Sequence, residues 1–335
     1  MQIEVRKRKT GVKEIMTKYN LIIILVILCV VSACLSPVFL SVKNIFNLLR
    51  QQSPYILITI GMLYVVLTGN IDLSQGNIIA LSGVATVYAI NEWGWGYTSA
   101  LGILPAVLLG VVVGGVSGLL NGFLTSKLKM MSFVATLAVG MICSGLAYLI
   151  TNGHPIRIDS DSVSGTLLSN FGAKGIPGIN FPWPVVVVII VVIVMFIIQK
   201  YTFYGRLVIA SGSNPIALHL AGQDVDLIKM MTFVISGILA ALAGIIIAGR
   251  TAVAAPNAGS GYEMDSVAGC VIGGASLAGG KGTVLRSVAG VLALGLIGNI
   301  LDLLSVPAYP QKIIKGVIII AAVLLQQSMD EKDKN

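Results

Sequence analysis

Long uncharged stretches separated by short polar clusters dominate this chain. No charged residue falls between Trp93 and Ser126, and Asp72 is the only one between Gln51 and Asn91. Other uncharged windows run from Met130 to Ile156, Gly175 to Gln199 and Met230 to Gly249, each long enough for the ~20 residues of a membrane-spanning helix. Leu21 to Leu40, Ser266 to Gly280, Ser287 to Leu301 and the run after Tyr309 add four more apolar segments. The pattern predicts an all-α polytopic membrane bundle of ten spans, ending near residues 40, 69, 91, 125, 151, 199, 249, 281, 304 and 327. The 266–304 pair is the shortest and the richest in glycine.

Composition agrees. Of 335 residues, 11% are charged, less than half the ~25% usual in a globular protein, while 56% are hydrophobic and mean hydropathy is +0.92. A water-soluble surface, a disordered tail and a secreted disulfide scaffold are all excluded. Positive residues resist translocation and collect on the cytoplasmic side. With the N-terminus inside, 15 of the 22 Lys and Arg fall inside and 7 outside. Both termini are therefore expected in the cytoplasm. The organisation is a basic tail over 1–20, one membrane domain over 21–327 with a cytoplasmic loop at 200–229, and a tail over 328–335. The net charge of +8 is the mark of an inner face that meets anionic lipid rather than nucleic acid.

Several chemical readings compete and fail. Arg6 to Lys9 before an apolar run, with Val31-Ser32-Ala33-Cys34, matches a lipoprotein cleavage pattern, but nine further spans make an added anchor redundant. Cys29, Cys34, Cys143 and Cys270 lack ligand spacing and read as inert thiols. His154 and His219 fall in loops on opposite sides of the membrane. The segment Ala275 to Gly282 approaches a phosphate loop, G-x-x-x-x-G-K-[ST], yet Ala275 takes the first glycine position and Gly282 replaces the hydroxyl residue. No catalytic, cofactor or metal constellation emerges.

Polar groups at membrane depth carry the remaining information, because they are costly unless they face a cavity or a partner. Gly69 to Asn77 places Asn70, Asp72, Ser74, Gln75 and Asn77 between spans two and three. Two readings stand for Asp72: a cap on the third helix, or a lining of a transport path. A second cluster, Gly259 to Asp265, places Glu263 and Asp265 before a glycine-rich helix. The matching positions make spans two to five and seven to ten an inverted repeat, with Asp72 expected near the inner face and Asp265 near the outer. Asn121, Asn152 and Asn299 read as helix-to-helix hydrogen-bonding groups or path lining. In the 200–229 loop, Asn214-Pro215 starts and Gly222 closes a helix of about two turns. Such a helix needs another surface to hold it, and reads either as plain connection or as a docking knob for a cytoplasmic partner.

Four segments together, GNIDLSQGNIIALSG (69–83), SFVATLAVGMICSGLAYLITNGHPI (132–156), YGRLVIASGSNPIALHLAGQDV (204–225) and GYEMDSVAGCVIGGASLAGGKGTV (261–284), resemble the permease subunit of ATP-binding-cassette importers for ribose, xylose, galactose and related sugars. The resemblance implies a type II ABC importer-like bundle working as a homodimer or with a paralogue. It also implies a separate cytoplasmic ATPase that holds ATP and magnesium, and an extracytoplasmic sugar-binding protein. The family's coupling helix falls on Asn214, Pro215, Ala217, Leu218, Ala221 and Gly222. Asn70 replaces a usual second glycine, Gln75 an apolar residue, and Met264 to Gly269 a Leu-Asp-Ala-Ile-Ala-Ala run. These departures bear on the solute, for which a nucleoside or a quorum-signal sugar derivative is the alternative. The rival class is an ion-gradient-driven transporter, for which Asp72, Glu263 and Asp265 are the acids available.

Overall fold

The computed structural model describes residues 12–332. Among them are thirteen α-helices: α1 (Val12–Leu35), α2 (Val42–Leu67), α3 (Gln75–Asn91), α4 (Ile103–Ser126), α5 (Ser132–Thr151), α6 (Val163–Ala173), α7 (Trp183–Tyr201), α8 (Phe203–Ser213), α9 (Pro215–Leu220), α10 (Val225–Thr251), α11 (Tyr262–Ile272), α12 (Val284–Leu303) and α13 (Ala308–Lys332). A two-residue antiparallel pair, Ile156–Arg157 with Val253–Ala254, ties the connection after α5 to the one after α10. The basic cluster Arg6–Lys9 lies outside the described residues. The last helix runs to Lys332, past the predicted boundary at 327.

Each of the ten apolar windows carries a helix. Among the described residues, five segments are both long and apolar enough to cross a membrane: Ala100–Ser126, which includes α4, and α5, α7, α10 and α12. The rest depart for separate reasons. Carrying Lys43, Arg50, Gln51 and Gln52 in its first half, α2 is less apolar, yet from Gln52 to Leu67 only Tyr55 escapes burial. It is the central helix, enclosed by protein, so it need not present an apolar surface to lipid. At 17 and 11 residues, α3 and α11 reach only about 25 Å and 16 Å at 1.5 Å per residue. Neither covers the ~30 Å hydrocarbon core alone. The predicted eighth span over 266–281 is thus a short helix followed by a turn-rich segment.

The non-helical approaches to α3 and α11 explain their lengths. After α2 the chain doubles back into the bundle alongside α5, where Ile71 N donates to Ser132 Oγ (3.3 Å) and Leu73 N to Thr136 Oγ1 (3.1 Å). Non-helical backbone at this depth is tolerated because protein partners satisfy it. In the same manner, the chain after α10 folds back through 255–261, where the backbones of Gly76 and Gly259 cross. A Cβ added to either glycine would overlap the other's carbonyl oxygen.

Packing pairs helices in a way that spacing did not reveal. The first helices are exchanged: α10 packs on α3 and α4, whereas α2 packs on α11 and α12. Four glycines of α4, Gly110, Gly114, Gly118 and Gly122, form a stripe at four-residue spacing. Its last three members face α10 at Gly237, Phe233 and Met230, and Gly114 and Gly237 approach so closely that neither could carry a side chain. This is the small-residue contact that membrane helices use where burial against lipid gives little driving force.

Candidate functional site

The starts of α3 and α11 meet in the middle of the bundle and build one polar node there. Asp72 Oδ1 accepts from the backbone N (3.0 Å) and the hydroxyl of Ser74, while Oδ2 accepts from Ser236 Oγ of α10 (2.6 Å). Both serines are themselves engaged from behind, Ser74 Oγ by Asn121 Nδ2 of α4 (2.7 Å) and Ser236 Oγ by Gln75 Nε2 (2.8 Å). Gln75 also donates to Ile58 O of α2 (3.0 Å), and its Oε1 accepts from Ser266 Oγ of α11 (2.9 Å). Asp72, Ser74, Gln75, Asn121, Ser236 and Ser266 have no solvent exposure. Donors run one way through the node toward the Asp72 carboxylate, which lies near the amino-terminal, positive end of the α3 dipole.

Asp72 lies beside Ser236 in the middle of α10, and Asp265 lines a cavity with Arg250 at the end of that helix. Gln75 and Ser266 are in contact, so the two acidic segments meet inside the bundle. The helices are short, and the non-helical chain before each carries both amino ends inward. The first helical residues of α3 follow Ser74, with Asp72 accepting the Ser74 amide just before the helix rather than capping it directly.

A polar cavity of about 240 Å³ opens between α2, the end of α10, α11, α12 and the start of α13. Tyr55 and Tyr262 stack across it, ring centroids 4.2 Å apart and planes within 19°. Lys315 Nζ sits 3.1 Å from Asp265 Oδ2 and 5.9 Å from the Tyr55 ring centroid. Toward the rim Gln311 Nε2 donates to Asp302 Oδ1 (2.8 Å). Gln51, Gln52 and Arg250 complete the polar lining, whereas Val291 and Leu294 are its aliphatic members. Asn299 reaches the wall but is committed to a reciprocal amide pair with Asn44 (3.0 and 3.1 Å).

At the other end of α10 lies the short helix α9. Asn214 Oδ1 accepts from Ala217 N (2.9 Å), Pro215 takes the first helical position, and Gly222 turns the chain at φ +78°. Leu218 is buried and anchors the helix, leaving Ile216 73% and Leu220 82% exposed. Ala217 and Ala221 complete the turn, Ala221 N donating to Ala217 O (3.0 Å). Nearby, 275–282 forms a tight turn in which Ser276 N donates to Lys281 O and Gly280 N to Leu67 O (both 2.9 Å). Those amides are consumed within the protein, so the turn cannot cradle a phosphate, and its glycines at 279, 280 and 282 serve positive φ.

The predicted residues therefore fall into separate places. Asp72, Ser74 and Gln75 form the node with Asn121; Asn77 packs against Gly140 of α5, and Asn70 bonds locally to Thr68. Glu263 lies against Gly76, one side-chain oxygen buried without a partner, and Asp265 faces the cavity. Asn121 and Asn299 bond across helices as read, but Asn152 is a left-handed residue closing α5 (φ +48°). His219, in α9, and His154, before the strand that pairs beyond α10, lie at opposite ends of that helix. Sequence reasoning missed Gln51, Tyr55, Arg250, Tyr262, Asp302 and Lys315. Gln51-Gln52 next to an apolar run was the available signal, since two amides in a spanning segment need partners.

The family model described as branched-chain amino acid transport system / permease component matches residues 44–323. The ribose import permease protein RbsC of Escherichia coli K12 is 37% identical over 311 residues, covering 93% of this chain and 94% of that protein. The L-arabinose transport system permease protein AraH of the same strain is 33% identical over 314 residues, 94% and 92% of the two chains. The L-arabinose ABC transporter permease protein AraH of Azospirillum brasilense is 31% identical over 322 residues, 96% and 91% of the two chains. No solved structure matches. With a match spanning most of a multi-pass helical chain, and relatives aligned nearly end to end, this protein belongs to the family of transport-system permease components.

Proposed function

We propose that the chain forms the solute path of an ATP-driven, binding-protein-dependent importer of a monosaccharide, ribose- or arabinose-like by its relatives, in a bacterial inner membrane. The α9 geometry carries this reading. A six-residue helix anchored by one buried leucine, with two large aliphatic side chains projecting, is shaped to be gripped from outside the bundle. It stands at the end bearing Lys127, Lys129, Arg206 and Lys229, which the distribution of positive residues assigns to the cytoplasm. A partner ATPase closing on Ile216 and Leu220 would move α9, and with it α8 and α10. Rigid-body motion of packed helices would then switch the solute path from one side to the other. Sugar delivery falls to an extracytoplasmic binding protein, and a second permease copy or a paralogue completes the pore.

Proteoliposomes test this. The chain reconstituted with its ATPase and binding protein should accumulate D-ribose or L-arabinose only with ATP inside. The chain alone, under a proton or sodium gradient, should accumulate neither; uptake there would overturn the reading in favour of an ion-driven transporter.

A further inference from the structure

The cavity beneath Tyr55 and Tyr262 is built like a weak site for one neutral, hydroxyl-rich ring, and the geometry points to it as a solute-binding station on the path. This rests on the sugar-import reading above.

Size comes first. At about 240 Å³ the cavity lies below the ~300–1,000 Å³ typical of pockets for drug-sized ligands, so it suits a single small solute. Charge comes second. Asp265 and Asp302 are matched by Arg250 and Lys315, and Asp265 and Lys315 are already paired at 3.1 Å. A site with cancelled charges has no net field to hold an ion, yet it offers both donors and acceptors to hydroxyl groups. Shape comes third: the Tyr55–Tyr262 stack presents an aromatic surface to the apolar face of a sugar ring. One ring belongs to α2 and the other to α11. A branched aliphatic side chain, by contrast, would need an apolar slot, and the lining provides only Val291 and Leu294 for it.

Affinity here must be low, since a solute held tightly could not leave for the other side. The aromatic surface, rather than the tyrosine hydroxyls, is assigned the main contact, which separates this station from a hydrogen-bonding structural role.

The experiment is D-ribose uptake by the complete reconstituted transporter, paired with ATP hydrolysis stimulated by ribose-loaded binding protein. Tyr262→Leu, and separately Asp265→Asn with Lys315→Met, should lower initial uptake about tenfold while stimulated hydrolysis stays within about twofold of the parent. Tyr262→Phe should restore uptake. Saturation-transfer NMR with D-ribose on the permease alone in nanodiscs should show contact that Tyr262→Leu removes, a readout independent of pumping. Parental uptake with undiminished uptake in both variants, or ribose contact unaltered by Tyr262→Leu, overturns the station. A parental transporter that imports L-leucine and no sugar overturns the sugar-import reading itself.

Discussion

Ser266 Oγ donates to Gln75 Oε1 at 2.9 Å, joining the first residue of α3 to the first turn of α11 across 191 positions of sequence. Two half-length helices thereby meet amino end to amino end in the centre of the bundle. The same Gln75 amide reaches Ile58 on α2 and Ser236 on α10, so one side chain connects four helices. Replacing Gln75 with Leu, which keeps volume but removes every bond, should destabilise the protein by about 1–3 kcal/mol. Ser266→Ala should cost less, because it removes one donor and leaves the amide otherwise satisfied. Thermal unfolding in detergent distinguishes the two; equal losses would mean that Gln75 acts only as filler.

Asp72 is the sink of the polar node, accepting from one backbone amide and two hydroxyls. Asp72→Asn puts a donor where only acceptors fit on one side, and Asp72→Ala leaves two buried serines without an acceptor. Both should lower stability by about 1–3 kcal/mol or prevent folding. Expression and melting temperature, measured beside Asp72→Asn with Ser236→Ala, would show partial recovery in the double variant if the clash of donors is the cause.

Gly114 and Gly237 let α4 and α10 touch through their backbones. Gly237→Leu forces the helices apart and should destabilise by about 1–3 kcal/mol or more. Gly115→Leu, one position round α4 from Gly114 and free of backbone contact, should be tolerated. Similar melting for the two would contradict the close crossing.

Ile216 and Leu220 stand exposed on α9. Ile216→Asp with Leu220→Asp should leave the melting temperature of the isolated permease unchanged while abolishing ATP-dependent uptake and retention of the ATPase on an affinity column. Retained binding with full uptake would remove α9 from the coupling path.

Asp224 caps the start of α10. Its carboxylate accepts from Leu227 N (3.0 Å), and Lys127 Nζ lies 3.5 Å away; these hold its pKa below the usual carboxylate value, the amide bond contributing most. A depressed folded-state pKa means stability present above the unfolded value and lost as pH falls through the folded one. Melting of the parent and of Asp224→Asn should therefore differ at pH 6 and converge in the acid range below ~4. A difference that persists there would assign the effect to something other than this charge.

Legibility divided along the range of the forces involved. The apolar windows were readable because lipid demands a continuous apolar stretch, and each window became a helix. Asn214-Pro215 and Gly222 were readable because a helix start and stop are local chemistry, and they bound α9 as expected. The fate of 266–281 was not, since its hydropathy suits either a span or a short helix with a turn. The cavity was largely hidden: Tyr55, Asp265, Asp302 and Lys315 come from four helices, and nothing near each in sequence marks its partners.

From the residues alone came membrane residence, the number of apolar segments and the short helix after Asn214, all consequences of hydropathy, charge and backbone preference acting over a few turns. Tertiary structure alone decided that α10 packs on α3 and α4 while α2 packs on α11 and α12, that Gln75 meets Ser266, and that a charge-balanced cavity forms between five helices. Those features depend on how helices approach one another, which glycine contacts and hydrogen bonds between distant segments set, and which no local pattern encodes.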